Sequence, residues 1–172
     1  MKIFLVSLLA VFAMSCDTPL ASRMVPSFQE VLQPTCKTVA IKDVSGGEIT
    51  FPLWTPKIDN YSFKQALIKA MQNSNIFRSV LVEPGGDYEL YTHINSQDLY
   101  QGNTMTVILV VNYRLVDGRS GEEIFKEAIP SEGHSTLWES FWGPVRVKNA
   151  EEEAVRNNLQ SLVRRLSVVL TK

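Results

Sequence analysis

The sequence predicts an α+β fold: a mostly antiparallel sheet of four to five strands with two amphipathic helices packed on one face. Three observations predict it. Residues 104–116 alternate in hydrophobicity, with Met105, Val107, Leu109, Val111, Tyr113 and Leu115 on one side, the period-two signature of a strand. Residues 62–72 and 149–170 repeat their apolar positions at helical spacing instead. The second of these helices is terminal, so it packs back across the sheet once the strands between them have formed.

In chain order, residues 38–41 (Thr-Val-Ala-Ile) form a short strand, and residues 43–47 turn the chain. Residues 49–54 offer a second extended piece, which Pro52 and Pro56 restrict to an edge or a loop. The first helix covers 62–72. Ser62 caps it, Gln65 completes a capping box, and Phe63, Ala66, Leu67, Ala70 and Met71 share one face. Asn73, Ser74 and Asn75 end it, and Ile76 and Phe77 lead into a strand at 79–82. After the turn Pro84-Gly85-Gly86, residues 88–96 alternate, with Tyr88, Leu90, Thr92 and Ile94 facing one way and Glu89, Tyr91, His93 and Asn95 the other. Gln101, Gly102 and Asn103 turn the chain into the strand 104–116, whose second face is also apolar at Ile108 and Val110, as for a central strand with both faces partly covered. Residues 117–121 connect it tightly to a strand at 122–129, an antiparallel hairpin. Residues 130–148 read as irregular and aromatic. Asn149 caps the last helix with Glu152 at its capping-box position, and Glu151, Glu152 and Glu153 favour its first turn. Val155, Leu159, Leu162, Val163, Leu166 and Leu170 form its apolar stripe.

The N-terminus carries an address. Lys2 precedes an apolar run from Ile3 to Met14, which is followed by Ser15 and Cys16. About 12 apolar residues fall short of the roughly 20 that span a bilayer but suit a secretory signal. The stretch Ala13-Met14-Ser15-Cys16 resembles a bacterial lipoprotein signal, which implies cleavage after residue 15 and lipid on Cys16. The alternatives are an ordinary signal peptide cut elsewhere or a buried N-terminal strand. The expected organisation is a signal peptide at 1–15, a tether at 16–36 and one α+β domain at 37–172. Residues 17–33 of the tether hold two prolines, Pro19 and Pro26, with one short helical patch at 28–32. In enterobacterial lipoproteins an aspartate after the lipidated cysteine favours the inner membrane, and Asp17 stands there. The resemblance therefore places the domain on the periplasmic face of the envelope, in either membrane, with Asp17 leaning toward the inner one.

Cys36 is the other cysteine of the two, so a disulfide-stapled scaffold is excluded. It is expected as a small buried hydrophobe. An intermolecular disulfide, a free thiol, or pairing with an unlipidated Cys16 are the alternatives. The formal charge of −1 and the lack of a Lys/Arg stripe argue against nucleic acid as a partner.

The element order over 38–172, together with the helix start Asn149-Ala150-Glu151-Glu152-Glu153-Ala154-Val155-Arg156-Asn157-Asn158-Leu159, resembles small Gram-negative envelope lipoproteins. These include the LptE-like, the YajG-like and the ABC-transport auxiliary lipoproteins. The resemblance implies a non-enzymatic assembly factor or transport accessory with an envelope protein partner.

The residues themselves hold no catalytic constellation. His93 and His134 are the two histidines, and no His-x-x-x-His or Cys-x-x-Cys spacing supports a zinc site or another metal centre. No Gly-x-Ser-x-Gly motif is present, and the Gly-Gly pairs read as turns, not as phosphate loops. No cofactor is expected. His134 reads as a solvated loop histidine. Trp138, Phe141 and Trp142 lie three and four residues apart, as on one helical turn. They either cap the open end of the core or form an exposed contact patch for a protein or lipid partner. The function expected is therefore a membrane-anchored, non-enzymatic lipoprotein that binds a protein or lipid partner. The alternative is a module holding a small apolar ligand between sheet and helices, in a cavity under Met71 and Met105.

Overall fold

The computed structural model describes residues 18–28, 35–49 and 56–171. The elements are α1 (Ala21–Met24), β1 (Thr35–Ser45), α2 (Asn60–Ser74), β2 (Phe77–Leu81), β3 (Tyr88–Tyr100), β4 (Thr104–Asp117), β5 (Glu123–Thr136) and α3 (Gly143–Leu170). The five strands form one sheet in the order β2-β1-β3-β4-β5. The long strands β3, β4 and β5 pair antiparallel. β1 pairs parallel with both β2 and β3. A parallel pair needs a crossover, and α2 supplies it between β1 and β2. The α+β class is as expected. The parallel β1 and the extra helix α1 are not.

The core lies between the sheet and the helices. Val39, Ile41, Leu90, Ile94, Leu109, Val111, Leu115 and Ile129 meet Phe63, Leu67, Met71, Val155, Leu159, Leu162 and Leu166 there, all of them buried. Met71 and Met105 are packed into this core. The opposite face of the sheet is uncovered: Ile108 and Val110 are half-buried, and Asn112 and Arg114 are exposed. The expectation that β4 is partly covered on both faces is met only by this half-burial. Bulges between Ile41 and Val44 and between Ile94 and Ser96 shift the side-chain phase, so that Ile41 and Val44 both reach the core three positions apart.

A buried polar link fixes α3 on the sheet. The Tyr113 hydroxyl donates to Asn158 Oδ1 at 2.7 Å, and Asn158 Nδ2 donates to the Ile129 carbonyl at 2.8 Å. Ser131 Oγ donates to the Ala154 carbonyl at 2.9 Å. Burial pushes the Tyr113 phenol well above its ordinary value, so it stays a donor. At Gly133 the helix comes so close that any Cβ would collide with the Ala150 carbonyl oxygen and the Ala154 amide.

Several boundaries correct the sequence reading. The cap of α2 is Asp59, not Ser62. Its Oδ1 accepts from the Ser62 amide at 2.8 Å, and its Oδ2 accepts from the Ser62 hydroxyl at 2.7 Å, so Ser62 sits inside the first turn. β5 runs through Pro130 because it is an edge strand, where a missing N–H costs no ladder bond. α3 starts at Gly143 with Pro144 in its first turn. This places Glu151, Glu152 and Glu153 beyond the first turn, and Glu151 and Glu152 are buried. Cys36 is exposed, at the start of β1 where the ladder to β3 has not begun, and not a buried hydrophobe. His134 lies on β5, not in a loop, and its ring Nδ1 is 3.1 Å from Thr106 Oγ1.

The segment read as a tether is docked on the domain where it is described. Pro19, Met24 and Pro26 are buried, and Met24 joins the core. The signal segment, Cys16, Asp17, and all but Phe28 of the patch at 28–32 and all but Ile49 of the piece at 49–54 lie outside the described residues. Phe28 is not helical. Among the described residues, no helix is long and apolar enough to cross a membrane.

Candidate functional site

Two surfaces stand out. The first is the tip formed where β5 hands over to α3. Thr136 ends the strand, and residues 137–139 turn. The Glu139 carboxylate closes that turn by accepting from the Thr136 amide at 3.1 Å. Ser140 Oγ accepts from the Trp142 amide at 3.1 Å. The first turn of α3 is braced against the β3–β4 turn, because the buried Arg146 guanidinium donates to the Asn103 carbonyl at 3.1 Å. The loop is thus held by its own polar groups and not by its aromatics. Trp138, Phe141 and Trp142 are 93%, 87% and 61% exposed. They stand out of the core and do not cap its open end. Met105, Val147 and Ala150 already fill the core near this end. Leu137 and Tyr100 are exposed at the same end of the sheet, since Tyr100 pairs with Thr106 and Thr104 with Thr136.

The second surface is a groove of about 590 Å³ on the uncovered sheet face, lined by Asp43, Ser45, Tyr91, His93, Arg114 and Lys126 among others. The Arg114 guanidinium lies over the Tyr91 ring, 4.7 Å from its centroid. The Tyr91 hydroxyl donates to Glu89 at 2.7 Å, and Lys42 Nζ pairs with Glu89 at 2.7 Å. The Lys42 and Tyr91 bonds hold the Glu89 carboxyl below its ordinary range. Lys64 does the same for Asp43. Ser45 Oγ and His93 Nδ1 are 2.9 Å apart and exposed. An acyl-transfer site needs the histidine oriented by a third group, and among the described residues no hydrogen bond or ion pair joins a carboxylate to this ring. No group of three or more His, Cys, Asp or Glu could hold a metal among the described residues.

The sequence reading passed over both the Tyr91–Arg114 stack and the role of Glu152. Alternation puts Tyr91 and His93 on the outer face of β3, but only the register, which opposes Tyr91 to Arg114, brings the pair together. Glu152 is buried and anchors the N-terminal segment. Its Oε1 accepts from the Leu20 amide at 2.8 Å, and its Oε2 is 3.8 Å from the Arg23 guanidinium. One turn on, the Arg156 guanidinium donates to the Arg23 carbonyl at 2.9 and 3.1 Å.

Comparison with known proteins gives the fold. No family model matches the chain, and no curated protein matches it. Among solved structures, it is similar to a Xanthomonas campestris protein of the DUF330 family, at 12% identity and a TM-score of 0.63 over 84% of this chain and 91% of that one. It is also similar to a hypothetical protein of Chlamydia trachomatis, at 12% identity and a TM-score of 0.59 over 79% and 98%. A candidate lipoprotein from Caulobacter crescentus matches at 17% identity and a TM-score of 0.50 over 65% and 83%. At these identities the likeness is one of fold.

Proposed function

We propose that this chain is a non-enzymatic lipoprotein of the bacterial envelope, anchored through lipid on Cys16, that binds a protein or lipid partner in assembly or transport. The observation that carries the reading is the tip. Three large aromatics stand out of the core on a loop fixed by other groups, and aromatics so placed anchor interfaces at low entropic cost. The signal-like segment ending at Cys16 supports the anchor, and Asp17 favours the inner membrane. The fold shared with a candidate lipoprotein agrees with it.

The test is mass spectrometry on the full chain, expressed with its own N-terminus in a Gram-negative host and purified from membranes. The expected result is acyl mass on Cys16 and loss of residues 1–15. Trp138→Ala combined with Trp142→Ala should then weaken retention of the bound partner while circular dichroism stays unchanged. An unacylated chain sinks the anchor. Collapse of the fold in the double variant sinks the tip as a contact surface.

A further inference from the structure

We infer that the partner of the aromatic tip is the lipid bilayer itself, the same leaflet that holds the anchor. This deepens the reading above and rests on lipid at Cys16. Two lengths and a distribution carry it.

The first length is the path of the N-terminal segment. The chain meets α3 at Glu152 through the Leu20 amide and has moved on to Arg156 by the Arg23 carbonyl. It therefore runs in the same direction as α3. Traced backwards from Leu20, it heads for the N-terminal end of that helix. Leu20 lies four residue steps after Cys16, a reach of up to about 14 Å. The second length is the rise of α3 from Trp142 to Glu152. Ten residues at 1.5 Å each give about 15 Å. The two lengths are comparable, so the chain between Leu20 and Cys16 is long enough, when extended, to bring a lipid on Cys16 to the level of Trp142.

The distribution is of apolar surface. Ten large apolar or aromatic side chains are exposed among the described residues, and five of them, Tyr100, Leu137, Trp138, Phe141 and Trp142, belong to this one end. Tryptophan and tyrosine favour the bilayer interface because the ring is apolar and its polar atom stays wet. Residues 137–145 contain one charge, Glu139, and its carboxylate is engaged by the Thr136 amide. A protein partner recognised by charge finds little here, whereas a headgroup layer needs none. Contact with zwitterionic lipid through such a loop is independent of salt, because no exposed cation of the loop contributes.

The experiment uses the acylated full chain in phosphatidylcholine vesicles, with ordinary or brominated acyl chains. Bromine quenches tryptophans that lie at the lipid boundary. Trp54 supplies a background, measured in the Trp138→Phe/Trp142→Phe variant. The emission of Trp138 and Trp142 should fall roughly twofold in brominated vesicles, as for rings seated at the interface, and raising the salt should not restore it. Unquenched emission from an acylated, vesicle-bound chain overturns the inference and leaves the anchor standing, with the tip then facing a protein. A chain without acyl mass overturns the anchor reading and this inference with it. Should the double variant misfold, Trp138→Phe and Trp142→Phe singly give the same readout.

Discussion

Replacing Glu151 by glutamine should flatten the pH dependence of stability. Glu151 is buried on α3, and its Oε2 has no hydrogen-bond partner among the described residues. Burial pushes its carboxyl up to about 9 from an ordinary 4.5. Attraction from Lys57 opposes the shift, and Glu152 and Glu48 add to it. The folded chain therefore keeps a proton that the unfolded chain gives up above about 4.5. Between those two values the folded state binds one proton more, so stability is full below 4.5 and falls as pH rises toward 9. Each pH unit in that window is worth about 1.4 kcal/mol. From pH 5.5 to 7.5 the wild-type chain should then lose up to about 3 kcal/mol relative to Glu151→Gln. Urea denaturation of both chains at pH 5.5, 6.5 and 7.5 reads the difference, and groups common to both cancel. Parallel pH profiles would refute the reasoning, since they would mean that Glu151 is ionised in the fold or reaches water.

Other outcomes follow from the same geometry. Gly133→Ala should cost about 1–3 kcal/mol, because its Cβ meets backbone of α3 that can yield only by lifting the helix; urea midpoints check this. Tyr113→Phe should cost about 1–3 kcal/mol by leaving Asn158 Oδ1 without its buried donor. Asn158→Leu should not restore that loss, since it also orphans the Ile129 carbonyl. Trp138→Ala and Trp142→Ala should each shift stability by no more than about 0.5 kcal/mol, as exposed positions do; a larger loss in thermal unfolding would mean that they pack in the core.

Much of the fold was legible because several segments state their period without interruption. β4 alternates over its whole length and α3 keeps one apolar stripe, so both were readable, as was the hairpin between β4 and β5. Its turn is held by Asp117 Oδ1, which accepts from the Arg119 and Ser120 amides. What escaped depends on partners distant in sequence. Pro130 reads as a breaker until one knows that β5 is an edge. The acidic run at 151–153 reads as a helix start until Pro144 is seen to open the helix earlier. Pro19 and Pro26 read as a tether, yet both are buried, and the groups that hold this segment, Glu152 and Arg156, lie more than 130 residues away. Of the candidate site, the aromatic triplet was visible as residues. Its exposure was not, since the spacing fits a buried turn equally well.

The clasp between the N-terminal segment and α3 also decides how the domain takes mechanical load. Because the described segment runs parallel to α3, a pull on the chain ahead of Leu20, directed toward the N-terminal end of that helix, loads the Leu20–Glu152 and Arg23–Arg156 contacts in shear. Bonds strained in that shear direction share the force and yield together, whereas bonds peeled from one end fail singly. A load so applied passes through the clasp into α3 first, and from α3 into the sheet through the Tyr113–Asn158 and Ser131–Ala154 bonds.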